Sequence, residues 1–147
     1  MAAGTPGYSK PLPKLRGEEH IYFNRAAEQE LVYQECRRCG THISYPRVVC
    51  PHCFAAELDV VPSTGTGTVH SFTTLYRPGA AAFRADVPYT IVLVDLDEGV
   101  RVLADLVTSD HEAVQVGMPV SVVFDRVSDD FTLPRFVPVT EEDPDAQ

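Results

Sequence analysis

Cys36-Arg37-Arg38-Cys39-Gly40 and Cys50-Pro51-His52-Cys53-Phe54 decide the reading of this chain. Each holds a Cys-x-x-Cys knuckle, and only residues 40–49 lie between them, so four sulfurs can be aimed at one point. Tetrahedral Zn²⁺ accepts four thiolates at about 2.3 Å, and two knuckles flanking a short segment have the spacing of a zinc ribbon. With Cys36, Cys39, Cys50 and Cys53 all committed, no coordination position remains where a water could be activated, so the metal is expected to be structural. Four free or redox-active thiols are the competing reading. A single Cys-x-x-Cys suits a redox pair, whereas two around a short hairpin suit metal. Gly40 can take the left-handed conformation that turns N–H groups towards sulfur, but Phe54 stands at the matching place after Cys53 and predicts a strained second knuckle.

Working outward, Leu31-Val32-Tyr33-Gln34-Glu35-Cys36 reads as a strand entering the first knuckle, and the β-branched and aromatic run 41–49 reads as a hairpin between the knuckles. Before it, residues 18–29 space Ile21, Ala27 and Leu31 as a short amphipathic helix with acids in its first turn, where the helix dipole favours them. Residues 1–17, rich in proline and glycine with no apolar period, read as an extended arm whose Tyr8, Leu12 and Leu15 could lie across a partner surface.

Beyond Pro62-Ser63-Thr64-Gly65-Thr66-Gly67 the texture changes to five β patterns, at 68–77, 89–96, 100–106, 120–127 and 131–139, separated by turn residues such as Asp97-Glu98-Gly99. An antiparallel meander is the simplest topology. Five such strands that hide their edges suggest a small barrel of the OB type, although periodicity alone does not separate a barrel from a sandwich. The organisation read from the chain is therefore an arm (1–17), a helix and zinc ribbon (18–61), a barrel (62–139) and an acidic tail (140–147).

The formal charge of -9 over 147 residues is unevenly spread. Up to Asp59 the acids and bases balance, and the whole excess of acid lies in the barrel half. Nucleic-acid affinity comes largely from phosphate neutralisation by Lys and Arg, so this distribution counts against a general nucleic-acid binder. No apolar run approaches the roughly 20 residues of a membrane helix, and residues 1–10 lack the order of a secretory signal, which points to the cytoplasm and to reduced cysteines.

Elsewhere the chemistry is sparse. His42 and His52 lie near the cluster in sequence and are expected beside it rather than as ligands, and His70 is expected to be packed or hydrogen-bonded in the first barrel strand. No Gly-x-Ser-x-Gly elbow presents a nucleophile, so no catalytic residue is assigned. Arg37, Arg38 and Arg47 are clustered bases able to meet the phosphates of a nucleotide-like ligand. Phe72, Tyr76, Phe83, Tyr89 and Phe131 are read as barrel core.

Taken together, the Leu31 to Gly40 run, the segment Tyr45-Pro46-Arg47-Val48-Val49-Cys50-Pro51-His52-Cys53 and the strand Gly67-Thr68-Val69-His70-Ser71-Phe72 resemble the family catalogued as domain of unknown function thirty-five. The resemblance covers about 18–139. It implies a mainly β fold, with a short helix and rubredoxin-like zinc ribbon before a five-stranded OB-fold barrel. It further implies a non-catalytic accessory or scaffold subunit of acyl-CoA metabolism that binds a thiolase-superfamily enzyme, including a steroid or lipid side-chain aldolase, and in some members accompanies a MaoC-like hydratase. On that reading Arg37, Arg38 and Arg47 are the candidates for acyl-CoA contact. A single-stranded nucleic-acid binder using the barrel's aromatics is the alternative from another class, and an acyl-CoA-acting enzyme in its own right is the third. Family members often carry Trp where this chain has Asn24, and Gly where it has Phe54.

Overall fold

The computed structural model describes residues 8–140, so the first seven residues of the expected arm and nearly all of the acidic tail lie outside the described residues. The chain opens with helix α1 (Glu19–Ala27), which places Glu19 in its first turn and Arg25 in its last. Gln29 at φ 65° and an ion pair from Arg25 to Glu30 turn the chain out of the helix and into strand β1.

β1 (Val32–Cys36), β2 (His42–Ile43) and β3 (Leu58–Pro62) form a three-stranded antiparallel sheet in the order β2-β1-β3. The expected hairpin over 41–49 is therefore corrected: only His42–Ile43 is strand, and the long partner of β1 is β3, which follows the second knuckle. The reason is local. Pro46 has no N–H to give a ladder, and the Gln34 side chain takes over the backbone of Arg47, accepting its N–H at 2.7 Å and donating to its carbonyl at 3.2 Å.

Strands β4 (Thr66–Leu75), β5 (Tyr89–Leu96), β6 (Arg101–Leu106), β7 (Pro119–Arg126) and β8 (Thr132–Pro138) close into a barrel in the order β4-β5-β6-β8-β7. The five strands lie where the sequence pattern expects them, but the topology is not the simple meander. β6 pairs with β8 in parallel at Leu106 and Phe136, while β7 returns to β4 over Thr66–Thr68. Residues 107–118 between β6 and β7 are long enough to cross the barrel end, which a tight hairpin could not do. Gly67 is needed at the crowded β4–β5 crossing, where a Cβ would stand 2.3 Å from the Asp95 carbonyl oxygen.

Alternating inward positions of β5 build the interior: Thr90, Val92, Val94 and Leu96 are buried, and Val69, Val102, Val120 and Phe136 meet them from the other strands. Leu31 and Tyr33 of the ribbon join this same core. Of the aromatics expected there, only Phe131 is buried. Phe72 and Tyr76 are exposed because β4 has β7 beside it only as far as Thr68, and beyond that one of its edges has no strand to cover it.

Polar and aromatic contacts lock ribbon and barrel together. Phe23 packs on Phe131 with ring centres 4.9 Å apart, and the Tyr45 hydroxyl accepts the Leu103 N–H at 2.7 Å. Glu98, in the turn between β5 and β6, accepts from the Ser63 hydroxyl at 2.9 Å and from the Thr64 N–H at 2.6 Å. Its carbonyl lies 2.7 Å from His42 Nδ1. Burial works against the Glu98 carboxylate, but these donors outweigh it and hold its pKa below the usual value. A carboxyl depressed in the folded state contributes stability that is present above its unfolded pKa, about 4.3, and is lost as pH falls through the folded pKa. Glu98→Gln is accordingly expected to cost stability at pH 7 and to narrow its gap to the native chain below about pH 4, a comparison that urea melts across pH 3 to 7 make directly.

Candidate metal centre and barrel groove

The two knuckles are built alike. The Gly40 N–H donates to the Cys36 carbonyl at 2.8 Å and the Phe54 N–H to the Cys50 carbonyl at 2.9 Å. Cys36 N–H reaches the Thr41 carbonyl, as Cys50 N–H reaches that of Ala55. Matching loops place Gly40 at φ 75° and Phe54 at φ 61°, so the strain expected at the second knuckle is present in its backbone. Phe54 is 78% exposed and gains little burial within the chain in return. Phe54→Gly is expected to stabilise the ribbon by about 1 kcal/mol, the scale of left-handed strain in a bulky residue, seen as a higher denaturation midpoint at unchanged metal content.

The four sulfurs lie within 4.8 Å of one another, with Cys36 to Cys53 and Cys39 to Cys50 each at 3.6 Å. A tetrahedron with Zn–S bonds of about 2.3 Å has edges of about 3.8 Å, so the cage has the size that zinc requires. The separations are far beyond the roughly 2.05 Å of a disulfide, and all four cysteines are free. Cys36 and Cys50 are buried, Cys53 is half-buried and Cys39 is exposed. Ile43 and Ala55 pack with the buried pair as a second, smaller core.

Protonation in the cage shows what a cation would supply. The Thr41 hydroxyl and N–H, 3.0 Å away in the case of the hydroxyl, lower the Cys39 thiol to about 5. At Cys50 burial opposes ionisation, but the N–H groups of Cys53 and His52 outweigh it and lower the thiol. Cys53 goes the other way: the Ala55 N–H favours its thiolate, yet burial and the neighbouring sulfurs push it up to about 12. Four thiolates this close repel one another unless a divalent ion sits among them, and the donor set is the soft, four-sulfur one that Zn²⁺ prefers. The residues present therefore fit a structural zinc, with every position filled by this chain. Among the described residues no other group of ligand side chains comes together.

The remaining expected residues are dispersed. His42 packs against Tyr33 with the rings tilted and bonds to the barrel, and His70 sits at a β-bulge, 3.1 Å from Asp95 and 3.0 Å from Arg101. Arg37 is held by a two-nitrogen pair to Asp59, whereas Arg38 and Arg47 are exposed. None of the three arginines borders the cavity beside β5, β6 and β8.

That cavity was not expected from the sequence. It is a groove of about 620 Å³ beside β5, β6 and β8, floored by Ile91, Leu106 and Leu133. Phe83 and Tyr89 form one aromatic wall, their ring centres 6.0 Å apart, and the arm contributes Tyr8 and Lys10. Lys10 pairs with Asp86 at 2.8 Å, and Arg135 is clasped by Asp105 and Asp125. The sequence signal beside it was Thr90, a polar residue at an inward position of an otherwise aliphatic alternation, which lies behind the groove and bonds to His111 on its wall.

Comparison with known proteins adds relatives to this geometry. Residues 23–59 match a family model described as the ChsH2 rubredoxin-like zinc ribbon domain, and residues 60–125 match the ChsH2 C-terminal OB-fold domain. A solved structure titled Ltp2-ChsH2(DUF35) aldolase superposes with a TM-score of 0.79 and 33% identity, over 88% of this chain and 100% of that one. A probable enoyl-CoA hydratase alpha subunit of Thermomonospora curvata is 33% identical over 94% of this chain and 43% of its own length. The benzoylsuccinyl-CoA thiolase subunit BbsA of Geobacter metallireducens is 34% identical over 48% of this chain and 46% of its own. The chain thus spans less than half the length of these two curated relatives.

Proposed function

Because the chain belongs to the DUF35 family, in which a ChsH2-type zinc ribbon precedes an OB-fold domain, we propose that it is an accessory subunit of an acyl-CoA-metabolising complex. Its partner is a thiolase-superfamily enzyme of the aldolase or ketoacyl-CoA type, and the chain stabilises and positions that enzyme without supplying the reacting groups. A hydratase can belong to the same assembly. The observation that carries this reading is the cage itself: four sulfurs within 4.8 Å saturate one ion, so the metal holds shape and leaves no position for substrate. The names of its relatives, an aldolase complex, a thiolase subunit and a hydratase subunit, support the choice of partner. Four thiols kept as ligands also favour the reducing cytoplasm as its location, and no helix among the described residues is long and apolar enough to cross a membrane.

Within this reading Arg38 and Arg47, both exposed residues, remain the side chains we assign to the phosphates of acyl-CoA. Arg37 takes part only by giving up Asp59. Co-expression with a thiolase-like enzyme encoded nearby tests the proposal: the two should elute as one complex and the enzyme should lose stability or activity when this chain is withheld. Separate elution, with neither property changed, would refute it. Arg38→Ala combined with Arg47→Ala should then raise the complex's KM for acyl-CoA while leaving assembly intact.

A further inference from the structure

We infer that the groove beside β5, β6 and β8 is a binding site for an uncharged, mainly hydrocarbon molecule carrying one polar oxygen, held at that oxygen by His111. This goes beyond the subunit reading and stands on the groove alone. Its volume of about 620 Å³ falls in the range of about 300–1,000 Å³ typical of small-molecule sites. Ile91, Leu106, Leu133 and Val127 present aliphatic surface, and Phe83 and Tyr89 add a flat aromatic side. Such a lining gains most from covering hydrocarbon.

Charge narrows the ligand class. Among the described residues two cations and three carboxylates border the groove, and they are spent on one another: Lys10 on Asp86, and Arg135 on both Asp105 and Asp125. Among the described residues no bordering cation is left for a phosphate, and the surplus charge is negative, so a polyphosphate would enter at an electrostatic loss. A positively charged ligand finds no free carboxylate either, since each already holds a cation and the excess is a single charge shared across the Arg135 clasp.

His111 supplies the polar contact. Its Nδ1 lies 2.9 Å from Thr90 Oγ1, and Thr90, completely buried, lies 2.8 Å from Thr74 Oγ1. This chain of hydroxyls fixes one edge of the ring, and Nε2 has no partner among the described residues. When Thr90 donates to Nδ1, the ring proton sits on Nε2 and can be given to a carbonyl or hydroxyl oxygen.

The test uses the zinc-loaded full chain and 6-propionyl-2-dimethylaminonaphthalene, a neutral ketone whose emission moves to the blue when it leaves water. Saturable blue-shifted binding to the native chain is expected, about tenfold weaker in His111→Phe for the loss of one hydrogen bond. It should be abolished in Val107→Arg, which places a charge at an exposed position on the groove margin. Zinc content and melting temperature confirm that each variant is folded, and Val107→Arg tests the groove even where His111→Phe is destabilised. Coenzyme A added in excess should not displace the probe. Non-saturable fluorescence in the native chain, undiminished binding in Val107→Arg, or displacement by coenzyme A would overturn the proposal. Equal affinity in a folded His111→Phe would remove the role given to that ring. Since the chain is measured alone, failure here and failure to find an enzyme partner are separate results.

Discussion

Replacing Cys50 with serine is expected to empty the metal centre and unfold the ribbon while leaving the barrel closed. Cys50 is completely buried, lies 3.6 Å from Cys39, and receives the His52 N–H on its sulfur. Serine offers a harder oxygen on a shorter arm, and the remaining three thiols lose the partner that completes the tetrahedron. Because ribbon folding and zinc binding are one equilibrium, the free energy at stake is that of the metal, on the order of 10 kcal/mol for structural zinc at neutral pH. The small core of Ile43 and Ala55 cannot replace it. Zinc measured by atomic emission should fall from about one ion per chain to near zero, and amides of β1 to β3 should exchange freely while those of β5 and β6 stay protected. A strong chelator should reproduce the effect on the native chain. Full zinc occupancy in the variant, or a ribbon that stays protected without metal, would contradict the structural role.

Phe136→Ala is expected to cost about 3–5 kcal/mol, the range for truncating a fully buried aromatic. Phe136 is 1% exposed and stands at the seam where the barrel closes. It is paired with Val122 on β7 and meets β6 in parallel at Leu106, and its carbonyl accepts the Val107 N–H at 2.7 Å. The cavity left by truncation borders three strands whose positions are fixed by ladder bonds on both sides, so little collapse can fill it. Equilibrium urea unfolding measures the loss. A cost below about 1 kcal/mol would show that the seam can close over the gap and that the barrel is held elsewhere.

Both predictions trace back to differences in what could be read from the chain. Cys36, Cys39, Cys50 and Cys53 were legible because a knuckle is local: four residues determine where two sulfurs point, and a short connection brings the pairs together. The strain at Phe54 was legible for the same reason, since a backbone conformation that favours glycine is a property of one position. β5 was legible from its alternation, because a strand with one buried face writes that face into every second residue. β3 was missed. Leu58–Pro62 is short, carries Asp59, and becomes a strand only because β1 offers it an edge.

The sequence by itself determined the four-cysteine cluster that fits a zinc ion, the five barrel strands and the order of ribbon before barrel, since each rests on contacts or periodicities within a few residues. Only the tertiary structure decided that β8 lies between β6 and β7, that the arginines of the ribbon stand apart from the groove, and that His111, backed by the buried Thr90, and Arg135 border one cavity. Those facts depend on which distant segments meet when the barrel closes. Side-chain pattern records that a face is buried, but not which partner buries it.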